Sequence, residues 1–96
     1  MQLNDEYVTM IKKAAGKVLS GDYSLMVFGS RSTGSARPFS DIDLAIDAQI
    51  PVTLSQILQI SGELDESNIP YKVDVVDLKR AEGNFRANIL RDGVKI

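Results

Sequence analysis

Gly29 and Ser30 are followed, after ten intervening residues, by Asp41 and Asp43. The first pair can hold phosphate and the second can hold a metal. A β-strand puts alternate side chains on one face and advances roughly 3.3 Å per residue, so Asp41 and Asp43 would point the same way with backbones about 7 Å apart. Two carboxylates so placed can converge on one hard cation or clamp two. Magnesium prefers oxygen ligands and leaves positions for water and substrate phosphates, so one or two protein carboxylates suffice when a nucleotide supplies the rest.

The strand itself is legible in the run Asp-Ile-Asp-Leu-Ala-Ile-Asp from 41 to 47. Ile42, Leu44 and Ile46 would occupy the buried face, with Asp47 falling on the side of the acidic pair. Upstream, Ser24-Leu25-Met26-Val27-Phe28 is a short apolar run stopping at Gly29, the pattern of a buried strand ending at a turn. Gly29 lacks a Cβ and lets backbone approach a ligand closely. The following amides and the hydroxyls of Ser30, Ser32 and Thr33 can donate to phosphate oxygens. Arg31 and Arg37 offer positive charge, and an arginine fork engages two phosphate oxygens at once. Which of the two points inward is not readable from spacing.

These residues resemble the minimal nucleotidyltransferase family, small members of the DNA polymerase β-like nucleotidyltransferase superfamily. The family motif of Gly-Ser, ten residues and Asp-x-Asp fits at Gly29, Ser30, Asp41 and Asp43, and Gly34, Arg37 and Ser40 fall where members usually have them. The resemblance implies a nucleotide site at Gly29, Ser30, Arg31, Arg37 and Ser40. It also implies a third carboxylate on a later strand. Tyr71 to Leu78 is the strongly β-prone run after the motif, and it contains both Asp74 and Asp77 on opposite faces. The resemblance favours Asp74, which would complete the metal site with Asp41 and Asp43 and accept the proton of an attacking hydroxyl.

The activity implied is transfer of a nucleoside monophosphate, AMP from ATP, to a hydroxyl with magnesium or manganese bound. Minimal nucleotidyltransferases are commonly paired with a helical HEPN-family protein, so the resemblance implies adenylylation of that partner, as in toxin-antitoxin pairs. The alternative is an antitoxin-like subunit that neutralises its partner by steric contact without catalysis. A nucleic-acid end-modifying enzyme is a third reading, disfavoured by the charge.

That charge is −2 over 96 residues, with 44% apolar and 25% charged residues, the composition of an ordinary globular domain. A duplex-binding protein is usually basic, so stable nucleic-acid binding is not expected. Cysteine and histidine are both absent. Thiolate chemistry is thereby excluded, a tetrahedral zinc site is disfavoured because its usual nitrogen and sulfur ligands are absent, and base chemistry falls to carboxylates. No apolar run reaches the roughly eighteen residues that span a bilayer, and the N-terminus lacks a signal-peptide pattern; a cytoplasmic protein is expected.

The remaining elements must position the motif. Leu3, Tyr7, Met10, Ile11, Ala14, Val18 and Leu19 recur at helical spacing, with Asn4 or Asp5 as cap and Gly21 as the end. After Pro51, Thr53-Leu54-Ser55-Gln56 has the form of a capping box before Leu54, Ile57, Leu58, Ile60 and Leu64, predicting a helix to about Ser67. A last helix near Glu82 to Arg91 shows Phe85, Ile89 and Leu90 on one side, and Val94-Lys95-Ile96 suits a short edge strand. The expectation is a single minimal nucleotidyltransferase domain over 1–96 of the α+β (mixed α/β) class. It would be a small mixed sheet with helices mainly on one face. So small an open sheet could also cover apolar surface by forming a homodimer.

Overall fold

Asn4 opens helix α1 (Asp5–Val18) by accepting a hydrogen bond from the Glu6 amide, with Asp5 and Glu6 set against the positive end of the helix dipole. The computed structural model describes residues 1–37 and 39–96. Helix α1 stops at Val18, before Gly21, because Leu19 turns extended at φ −95° and ψ 144° while its amide still closes the last turn on the Ala15 carbonyl. Strand β1 (Tyr23–Phe28) follows, then a single helical turn, α2 (Ser30–Thr33), and strand β2 (Ile42–Ala48). Helix α3 (Leu54–Asp65) carries the expected capping box, with Thr53 and Gln56 exchanging side-chain and backbone hydrogen bonds. It ends before Ser67, whose hydroxyl instead donates to the Leu64 carbonyl and accepts from the Ile69 amide. Strand β3 (Val73–Asp77), a 3-10 turn (Leu78–Arg80), helix α4 (Gly83–Asp92) and strand β4 (Val94–Lys95) complete the chain.

The four strands form one mixed sheet in the order β3-β2-β1-β4. Strand β1 pairs antiparallel with β2 and β4, while β2 and β3 run parallel. Parallel neighbours need a long crossover, and α3 supplies it. Alternation then separates the two faces. Leu25, Ile42, Leu44, Ile46 and Val73 meet Ile11, Ala14 and Ala15 of α1 and Ile60 and Leu64 of α3 in the main core. The other face carries a smaller cluster in which Phe28 and Ala45 pack against Leu78, Ala81 and Ile89.

Two apolar stripes bury less than their periodicity implies. Leu54 and Leu58 of α3 are exposed, the helix being held by Ile60 and Leu64. In α4 only Ile89 is sunk, while Phe85 and Leu90 stay largely in solvent. Helix α4 lies over a sheet face only partly covered and is anchored in the smaller cluster by Ile89 alone. Among the described residues no helix is long and apolar enough to cross a membrane.

Candidate active site

The parallel pairing of β2 and β3 sets Ile42 beside Val73 and Asp43 beside Asp74. Neighbouring strands lie about 4.8 Å apart, so two acids thirty-one residues apart in sequence share one edge. Asp41 immediately precedes β2 at the same edge. The grouping has an electrostatic signature. Burial holds the Asp43 carboxyl above its ordinary value, and the charges of Asp74 and then Asp41 push it in the same direction. Asp74 also meets Lys72, Nζ to Oδ1 3.3 Å, with both side chains well exposed. Such a pair contributes little stability and leaves the Asp74 side chain free to swing.

The two rival acids are placed elsewhere. Asp77 lies at the far end of β3 on the main-core side, where its Oδ2 accepts from the Val52 amide at 3.0 Å and its Oδ1 from the Lys79 amide at 3.1 Å. It holds the entry to α3 and the 3-10 turn. Asp47 is paired with Ser24, four residues and roughly 13 Å along the strand from Asp43.

Gly29 binds the turn to the acids. Its φ of +73° is a conformation side chains rarely adopt, and a Cβ there would come within 2.5 Å of Asp43 Oδ2. The glycine thus lets the carboxylate lie directly against the turn backbone. The following residues differ from the open phosphate turn expected of them. They wind into α2, where the Ser32 hydroxyl donates to the Gly29 carbonyl at 2.9 Å and the Thr33 hydroxyl shares a hydrogen with Ser35 at 2.9 Å. Those hydroxyls stabilise the turn itself. Ser40 does likewise, its Oγ accepting from the Arg37 amide at 2.8 Å, while the Arg37 side chain is exposed at the rim.

Arg31 departs most from the phosphate role expected for it. It is 7% exposed and turned inward. Its Nη2 donates to the Ser40 carbonyl at 2.6 Å, its Nε to the Ser40 and Asp41 carbonyls at 3.2 and 3.3 Å, and its Nη1 to the Gln2 carbonyl at 3.1 Å. The guanidinium also sits 4.4 Å from the centroid of the Tyr71 ring. Arg31 therefore braces the backbone before Asp41 against the segment leading into Asp74, with its fork already occupied by carbonyls. Gln2 completes this brace, accepting from the Ala36 amide at 2.9 Å and donating its own amide to the Arg31 carbonyl at 2.8 Å. Sequence reasoning missed both Gln2 and Tyr71, because carbonyl partners leave no periodic trace.

Among the described residues no three acids stand gathered around one point as a ready metal cage. The donor chemistry still fits a hard cation. Oxygen ligands are concentrated at one edge, and a bound cation would reverse the repulsion that raises the Asp43 carboxyl. The edge is an open ledge. A hollow of about 260 Å³ between residues 19–23 and 48–53 lies at the opposite end of β1 and β2, away from these acids.

Residues 23–96 match the family described as Polymerase beta, Nucleotidyltransferase. The probable protein adenylyltransferase MntA of Haemophilus influenzae is 29% identical over 86 residues, which cover 90% of this chain and 75% of that protein. Among solved structures, a toxin-antitoxin with AMP-PNP is similar at a TM-score of 0.79 and 25% identity, over 97% of this chain and 72% of that one. A complex of tri-AMPylated Shewanella oneidensis HEPN toxin with its MNT antitoxin gives a TM-score of 0.75 at 23% identity, over 99% and 71% of the two chains.

Proposed function

The chain belongs to the polymerase beta nucleotidyltransferase family, and from that premise we propose that it transfers AMP from ATP to a hydroxyl on a HEPN-family partner protein. The observation that carries this reading is the register of Asp43 with Asp74, with the Asp43 carboxylate lying against the Gly29 turn. Support for the adenylyl group and the protein acceptor comes from the similar MntA protein and from the solved toxin-antitoxin complexes.

In the proposed reaction the acceptor oxygen attacks the α-phosphorus in line. The bond from that phosphorus to the α,β-bridging oxygen breaks, pyrophosphate leaves with the electron pair, and the hydroxyl proton passes to Asp74. The backbone at Gly29 and Ser30 holds the phosphates, and Arg37 at the rim adds positive charge. Arg31 and Ser40 act from behind by holding the loop. Magnesium or manganese, held by Asp41, Asp43 and Asp74, would neutralise charge on the attacked phosphoryl and the leaving pyrophosphate. Orientation and electrostatics carry most phosphoryl-transfer catalysis, so acids on rigid strand ends suffice without histidine.

Incubation of the chain with labelled ATP, magnesium and a HEPN-family protein from its own source tests the reading. Label should enter the partner, and Asp41→Asn together with Asp43→Asn should remove it. A partner that binds and is neutralised equally by the doubly substituted chain, with no label transferred by either, would establish steric antitoxin action instead.

A further inference from the structure

Five of the six aromatic residues divide by face, while Phe39 stands exposed in the loop before Ser40 and is packed on neither face. Tyr7, Tyr23 and Tyr71 pack against the main core beneath the sheet. Phe28 and Phe85 lie on the face that bears Asp43 and Asp74. Phe28 is the antiparallel partner of Asp43, their backbones about 5 Å apart, and it immediately precedes the Gly29 turn. Phe85, in the first turns of α4, meets Phe28 edge to face, with centroids 5.8 Å apart and planes at 76°. The two rings are used very differently. Phe28 is 8% exposed, whereas Phe85 keeps 48% of its surface in water although Ile89 of the same helix is fully buried.

We propose that Phe85 is the stacking wall for the nucleobase of the bound nucleotide. The proposal rests on the reading of the ledge as a nucleotide site and deepens it by naming the base-binding element. A nucleotide whose phosphates lie over the Gly29 turn and Asp43 must lay its nucleoside to one flank of the row formed by Phe28, Asp43 and Asp74. The β3 flank carries the solvated Lys72–Asp74 ion pair, which has no flat apolar surface to present. The α4 flank presents a ring buttressed from behind by Phe28 and open in front. Its neighbour Arg86 is turned away, donating to the Leu78 carbonyl, so its guanidinium does not cover the ring. Stacking on such a wall tolerates every base, because each has a π-face.

The chain has no tryptophan, so Phe85→Trp places a single reporter at the wall. With magnesium present, ATP should quench its fluorescence, while tripolyphosphate, the same phosphate chain without a base, should leave it unchanged. Thermal shift on the same samples reports binding independently. ATP that raises Tm without altering the tryptophan signal, or tripolyphosphate that quenches as strongly as ATP, overturns the wall and leaves the nucleotide site standing. Failure of ATP to raise the Tm of the unsubstituted chain overturns the site itself. Phe85→Ala supplies a second reading in the transfer assay: KM for ATP should rise roughly tenfold or more with kcat changed much less. An unchanged KM also rejects the proposal.

Discussion

Asp43 and Asp77 sit on adjacent strands of the same sheet, and the more deeply buried of the two is the one devoted to structure. Asp77 is 5% exposed, yet two backbone amides donate to it and Arg80 stands 3.8 Å away. Asp43 is more accessible but faces the charges of Asp74 and Asp41, and its carboxyl is raised. Donors decide what a partly buried acid does. One supplied with amides holds the fold together, while one surrounded by other acids is left with unspent negative potential for a cation or phosphate-bound metal.

The largest test of this contrast is catalytic. Asp43→Asn should lower AMP transfer by about a hundredfold or more while the protein stays folded and bound to its partner, as read by labelled-ATP transfer beside a pull-down. Asp77→Asn should leave transfer per folded molecule near normal. If both substitutions cost the same activity, the separation of roles fails.

Gly29→Ala probes the contact that ties the turn to Asp43. The Gly29 backbone, at φ +73° and ψ −150°, costs a side chain about 1–3 kcal/mol, and the added methyl must displace the carboxylate. Transfer should therefore fall further than the drop in Tm accounts for. Equal losses would mean that the turn serves only the fold.

Asp77→Ala should destabilise by about 2 kcal/mol, lowering Tm by roughly 10 °C, because the Val52 and Lys79 amides lose their acceptor. Thermal denaturation by circular dichroism measures this directly.

The smallest effect concerns pH in the absence of divalent metal. A carboxyl raised in the folded state binds its proton more tightly there than in the unfolded chain. Its contribution to stability is therefore present below the unfolded pKa and lost as pH rises through the folded one. Ionised Asp43 should thus cost the fold stability near neutrality. Asp43→Asn should have a Tm slightly above that of the natural chain at pH 7, with the difference vanishing in acid. A lower Tm for the substituted chain at pH 7 would show that Asp43 also supports the fold.

Much of the fold could be read in advance where periodicity was strong. The α1 stripe, the capping box before α3 and the alternation from 41 to 47 each became the expected element. Helix α2 escaped notice because one turn is too short to show a period, and its serine and threonine read equally well as a phosphate loop. The 3-10 turn after β3 was hidden for the same reason. Arg31 misled because type and neighbourhood suggested a phosphate ligand, whereas its partners are carbonyls contributed by Gln2, Ser40 and Asp41.

Local spacing alone set out a glycine-serine turn, a strand with Asp41 and Asp43 on its polar side, and an oxygen-only donor chemistry dictated by the lack of cysteine and histidine. It could not choose between Asp74 and Asp77, since either can face outward from an isolated strand. That choice belongs to the tertiary structure. The parallel register of β3 against β2 carries Asp74 to the open edge and hands Asp77 to the amides of Val52 and Lys79, because strand register is settled by burying Val73 and Val75 with Ile42 and Leu44.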